Sequence, residues 1–118
     1  MKFNFEDLQV YQKSLDLVDS VYGVSKQFPK EEIYGLTSQF RRAAVSISLN
    51  IAEGSGGTKK EFLRFLRTAS NSLKECIVCI TVAKRQDYIS YKEHDELREK
   101  LIEISKMISG LKKYLLKD

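Results

Sequence analysis

Cys76 and Cys79 have the C-x-x-C spacing of a redox pair or of half a zinc site. A redox pair works at a helix amino terminus, where free amides and the dipole lower the thiol pKa. Here apolar periodicity runs on through both sides, so the pair falls in mid-helix. Cys76 lies on the apolar face, the setting of a small buried hydrophobe. Zinc would need two more ligands, and His94 is the only other soft one in the chain. Neither a metal nor a cofactor is expected. Residues 54–60, GSGGTKK, have the composition of a phosphate loop. A Walker loop, however, needs G-K-[ST] after a strand, so that backbone amides wrap the phosphates and the Lys reaches them. Here the order is Gly57-Thr58-Lys59, behind a helical pattern. Weak phosphate contact at the helix start is the most it offers. His94 fails the R-x(4–6)-H test of all-helical ribonucleases, because eight residues separate it from Arg85, the nearest upstream Arg. Glu53 and Glu75 read as hydrogen-bond anchors rather than as an acid–base pair. No catalytic residue, no enzyme activity and no small-molecule substrate are expected.

The charge is more informative. The net +4 is unevenly placed. Residues 1–40 carry four bases and six acids, residues 41–67 six bases and two acids, and the remainder ten bases and eight acids. Lys60, Arg64, Arg67 and Lys74 recur at 3–4 spacing with Asn71 in the gap, and they form one helix stripe opposite the apolar face. With Lys59 and Arg41 they are the candidate nucleic-acid-binding residues, since aligned bases can follow a phosphate backbone with salt-sensitive, sequence-independent affinity. No aromatic is interleaved, so stacking on bases is not expected. The plainer alternative is a solvated face, or one that pairs with acids of a neighbouring protomer.

A second polar set lies at the edge of the apolar stripes. Arg42, Ser46, Asn50 and Glu53 form a ridge that faces Thr68, Ser72 and Glu75. Buried polar groups need partners, so a hydrogen-bond network that fixes helix register is expected there.

The elements that carry these residues are helices. The apolar periodicity predicts four, over about residues 5–26, 35–53, 59–86 and 91–116, and no strand. Asn4 can cap the first. Phe28-Pro29 breaks the chain after it. The glycines of Gly54-Ser55-Gly56-Gly57 can take the left-handed conformation that ends the second helix. Thr58/Glu61 and Ser90/Glu93 form capping boxes that open the third and fourth. The fourth helix places Leu97, Leu101, Ile104, Ile108, Leu111 and Leu115 on a narrow seam. The fold class is all-α: an antiparallel up-down-up-down four-helix bundle in one domain, residues 1–118.

The first helix has two apolar stripes, about 130° apart at 100° per residue. One is Leu8, Tyr11, Leu15, Val18 and Tyr22. The other is Val10, Leu17, Val21 and Val24. A helix in a small bundle buries one. The surplus stripe, with Val45, Leu49 and Ala52 on the second helix and Val78 and Val82 on the third, is the candidate oligomer interface. The alternative is a wider contact within the chain. The start MKFNFEDLQVYQK has acids where a signal peptide needs an apolar core, and no uncharged apolar run approaches the ~20 residues of a membrane span. With two cysteines, the chain is expected to be intracellular and cytoplasmic, with no membrane partner.

At the second helix a family resemblance appears. The run FPKEEIYGLTSQFRRAAVSI (28–47), followed by NIAEG (50–54), resembles the bacterial four-helix bundle proteins first noticed as products of intervening sequences in large-subunit ribosomal RNA genes. Ser72-Leu73-Lys74-Glu75, Asp87-Tyr88-Ile89 and the opening Phe5-x-x-Leu8 with Tyr11 fit the same pattern. The resemblance implies a left-handed bundle that assembles into a ring-like homopentamer. It is similar in fold to the basic accessory protein of diversity-generating retroelements, which associates with reverse transcriptase and nucleic acid. Two functions follow as expectations: a homo-oligomer that binds structured RNA or DNA through the basic stripe, or a scaffold that binds another protein and no nucleic acid.

Overall fold

In the computed structural model, residues 1–117 are described and form four helices. They are α1 (Gln9–Ser25), α2 (Leu36–Ser55), α3 (Lys59–Arg85) and α4 (Tyr91–Leu115). A 3-10 turn, Asn4–Asp7, precedes α1, and another, Lys30–Glu32, sits in the α1–α2 connection. The helices pack in sequential order: α1 on α2, α2 on α3, α3 on α4, and α4 back on α1. This is the expected antiparallel bundle, 47 Å long and 27 × 20 Å across.

Local sequence sets several of the helix ends. Thr58 Oγ1 accepts from the amide of Glu61 at 3.1 Å, and the Glu61 carboxylate accepts from the amide of Thr58 at 2.9 Å. Ser90 and Glu93 do the same at 3.1 and 2.9 Å. Both boxes satisfy amides that the first helical turn leaves free. Two other ends differ from expectation. α1 begins at Gln9 rather than Phe5, and no side-chain cap from Asn4 forms. Leu8 is extended there, Phe5 folds back edge-on against Tyr11 at 5.0 Å, and Gln12 Nε2 donates to the Glu6 carbonyl at 3.1 Å. α2 runs on to Ser55 and ends at Gly56 with a right-handed φ of −88°. Among the described residues no glycine has positive φ; the one residue that does is Asp87, at 61°. Asp87 closes α3: its amide donates to the Lys84 carbonyl and the Tyr88 amide to that of Ala83, the paired bonds of a Schellman end.

Gly54 is needed for space, not for turning. A Cβ there would lie 2.7 Å from Phe65 Cβ and 2.9 Å from Phe62 Cδ1. The missing side chain lets the end of α2 approach the start of α3.

The core lies on the expected faces of α2, α3 and α4: Phe40, Ile47 and Ile51; Leu66, Cys76 and Ile80; Leu101, Ile104 and Ile108 are all essentially without exposure. On α1 the faces are exchanged. Val10, Leu17 and Val21, expected at an oligomer interface, are 5%, 0% and 0% exposed within the chain itself. Leu15 and Tyr22, from the other stripe, are each 40% exposed. The buried seam is Val10, Ser14, Leu17, Val21 and Ser25. Its two serines are why it reads as the weaker stripe. Ser14 Oγ donates to the Tyr11 carbonyl at 2.6 Å and meets Ser48 Oγ at 2.8 Å, so small hydroxyls bring α1 and α2 together with no polar atom unpaired.

The α1–α2 and α3–α4 connections meet at one end. Phe28 is buried between Phe40 and Tyr88, with ring centroids 6.2 and 5.7 Å away. Tyr88 Oη donates to Glu32 Oε2 at 3.0 Å, and Glu32 Oε1 accepts from the amide of Leu36 at 3.1 Å. One carboxylate thus caps α2 and holds the opposite connection.

Candidate nucleic-acid interface

The bases of α3 face outward because Phe62, Leu66, Ala69, Leu73, Cys76, Ile80 and Ala83 turn the other side into the core. Lys59, Lys60, Arg64, Arg67 and Lys74 are all exposed. None lies within 4.0 Å of a carboxylate among the described residues. From Lys60 to Lys74 the stripe spans about 21 Å at 1.5 Å per residue. Arg64 lies over the Phe65 ring at 4.4 Å, which steadies its guanidinium. The one acid at this end, Glu61, turns back onto the helix start. The Thr58 amide, chiefly, and then the nearby charge of Arg64 hold its carboxyl below the usual range.

Arg41 does not join the stripe. It stands on α2 beside α1, half-buried, with Nε donating to Ser25 Oγ at 2.8 Å and its guanidinium over the Tyr22 ring at 4.7 Å. It lines a separate groove of about 1000 Å³ on the outer side of α2, together with Arg42, Val45, Leu49, Ser72 and Glu75.

The polar ridge forms in part. Ser72 Oγ donates to Ser46 Oγ at 2.9 Å. Asn50 Nδ2 donates to the Ser46 carbonyl at 2.8 Å and to its hydroxyl at 3.1 Å. Arg42, Glu53 and Glu75 stay outside this network, and Thr68 bonds instead to the Arg64 carbonyl at 3.3 Å. Arg42 and Glu75 line the same groove without forming an ion pair among the described residues. The Ser14–Ser48 bond was not anticipated from sequence. Its signal is the place of both serines in the phase of their helices' buried seams.

The apolar surplus lies elsewhere than the α1 valines. Leu49 is 59% and Val78 61% exposed, with Val82 at 38%. Val24, Val45 and Ala52 are half-buried. The face open to a partner is therefore the outer side of α2 and the neighbouring edge of α3, extended on α1 by Leu15 and Tyr22.

Burial pushes the thiol of Cys76 up to about 12 and that of Cys79 up to about 11, so neither is a ready nucleophile at neutral pH. No group of three or more His, Cys, Asp or Glu side chains is placed to hold a metal ion among the described residues. No helix among them is long and apolar enough to cross a membrane.

Among curated proteins none matches this chain by sequence. In fold it is similar to a solved structure from Bacteroides thetaiotaomicron VPI-5482, a protein with unknown function from the S23 ribosomal protein family. The TM-score is 0.81 at 22% identity, over 88% of this chain and 98% of that one. The sequence profile of the 23S rRNA-intervening sequence proteins matches residues 6–110, which take in all of α1, α2 and α3 and most of α4. The chain belongs to the 23S rRNA-intervening sequence protein family.

Proposed function

We propose that this chain is a homo-oligomeric bundle that works by binding rather than by catalysis, and that α3 grips the phosphate backbone of a structured RNA. The observation that carries the reading is the stripe of Lys60, Arg64, Arg67 and Lys74: exposed, one-sided and free of ion pairs among the described residues. Bases already paired within the chain would have to break those pairs before meeting phosphate; these do not. Structured RNA is the first polyanion to test, because the family takes its name from 23S rRNA. The oligomer rests on the exposed Leu49 and Val78, which a monomer would leave in water. A pentamer, as the family resemblance implies, would have five times the 13.6 kDa chain mass.

The test is fluorescence anisotropy with an RNA hairpin at low salt. Binding that weakens as salt rises, and is lost in the fourfold Ala variant of the stripe, upholds the reading. Absent or salt-insensitive binding overturns it. The second reading, a protein-binding scaffold, is favoured by the same exposed Leu49 and Val78. Recovery of one protein partner after nuclease treatment, with no RNA bound at low salt, would establish it instead.

A further inference from the structure

The groove on α2 combines charged and apolar lining. Arg41, Arg42 and one acid, Glu75, line it, Val45 and Leu49 form an apolar shelf, and none of the α3 stripe bases lines it. Leu49 is 59% exposed and continues the half-buried Val45 one turn along α2. α2 and α4 stand at diagonal corners, each packed on α1 and α3 and not on each other, so their outer faces point to opposite sides. On α4 that outer face carries Asp95, Glu99 and Glu103, spaced i, i+4, i+8 and all exposed, with Lys92 and Lys106 at the two ends of the row. Ile102 sits beside the acids, 40% exposed. The acids span about 12 Å, and so does α2 from Arg41 to Leu49.

We propose that the α2 groove of one protomer receives the α4 edge of a second copy of this chain. The acids of α4 meet Arg41 and Arg42, and Ile102 covers Val45 and Leu49. The proposal rests on the homo-oligomer reading and specifies its joint. The apolar contact supplies the buried area, and the charge pairs set register and exclude the reversed orientation. The contact of Glu103 with Lys13, 3.7 Å between two exposed side chains, is loose enough to give way. Because the two surfaces differ, the joint is head-to-tail: every chain both gives and receives, and one kind of contact builds the whole assembly. The α3 stripe stays open for RNA.

Charge reversal with rescue tests this by light scattering. The wild type should elute at a multiple of 13.6 kDa. Arg42→Glu and the pair Glu99→Lys/Glu103→Lys should each fall to the single-chain mass, and combining all three should restore assembly. Leu49→Asp, at an exposed position, should dissociate the assembly with no loss of helical signal. An assembled wild type that is indifferent to either reversal, or reversals that do not rescue each other, overturns the proposal and leaves the homo-oligomer reading standing. A monomeric wild type overturns both. If Arg42→Glu weakens RNA binding with the mass unchanged, the groove takes nucleic acid and not a second copy, and the proposal falls.

Discussion

Replacing Arg64 and Arg67 with Ala should change how RNA affinity depends on salt, by an amount the stripe geometry sets. Along α3, Lys60 to Arg64 is about 6 Å, Arg64 to Arg67 about 4.5 Å, and Arg67 to Lys74 about 10.5 Å with Asn71 between. Four bases on such a line can each neutralise one phosphate. Each phosphate contact releases condensed counterions and adds about 0.7 (single strand) to 0.9 (duplex) to the negative slope of log K against log salt. One protomer then gives a slope of about −2.8 to −3.6, a loss of roughly 50- to 150-fold between 50 and 200 mM salt. Removing two bases lowers the slope by about 1.4 to 1.8 per engaged protomer. The assay is an anisotropy titration of a labelled RNA hairpin at several KCl concentrations. Circular dichroism checks that α3 is intact, as expected when Ala replaces exposed helix residues. The control is Lys92→Ala/Lys106→Ala on α4, which removes the same charge away from the stripe and should leave the slope unchanged. An unchanged slope in the Arg64/Arg67 variant, or an equal drop in the control, refutes the reasoning: binding would then follow total charge and not the line on α3.

Other consequences concern stability. Gly54→Ala should destabilise the fold by about 1–3 kcal/mol in urea titration, because the new Cβ meets Phe65 Cβ at 2.7 Å. Asp87→Gly should stabilise it by up to about 1 kcal/mol, since φ 61° is less costly for glycine. Ser14→Ala leaves the Ser48 hydroxyl without its partner and should cost about 1–3 kcal/mol, while the double variant Ser14→Ala/Ser48→Ala should cost less than the two single losses together. The raised thiol of Cys76 has a pH signature. Below pH 9.0 both folded and unfolded chains keep the proton; above it the unfolded chain loses it first, so stability falls between pH 9.0 and about 12. That share of the alkaline loss should vanish in Cys76→Ala, measured as urea midpoints across this range.

The parts of the fold that were legible in the sequence are those whose cause is local. Thr58/Glu61 and Ser90/Glu93 are recognised within four residues of chain, and both boxes form as read. The α4 seam is equally plain because its other faces are charged. α1 misled because its two stripes are nearly equal in apolar content. The one containing Tyr11, Leu15 and Tyr22 is bulkier, yet the buried one contains Ser14 and Ser25. Their fitness for the core depends on Ser48 and Arg41, residues of another helix. Composition likewise could not tell a glycine that turns the chain from Gly54, which makes room for Phe65. For the candidate site, helical spacing sufficed for Lys60, Arg64, Arg67 and Lys74, which share one element. Charge alone groups Arg41 with them, and only the packing of α1 on α2 separates it.

The clasp of Phe28, Phe40, Tyr88 and Glu32 also gives the bundle a kinetic polarity. It ties the α1–α2 connection to the α3–α4 connection through a hydrogen bond spanning 56 residues of sequence, at the end opposite the covalent α2–α3 turn. The other end holds the α2–α3 turn, the start of α1 and the finish of α4. At that far end only the start of α1 and the finish of α4 lack a covalent turn, so fraying should begin with them. Amide exchange should be fastest in the last turn of α4 and slower where α2 begins, beside the clasp.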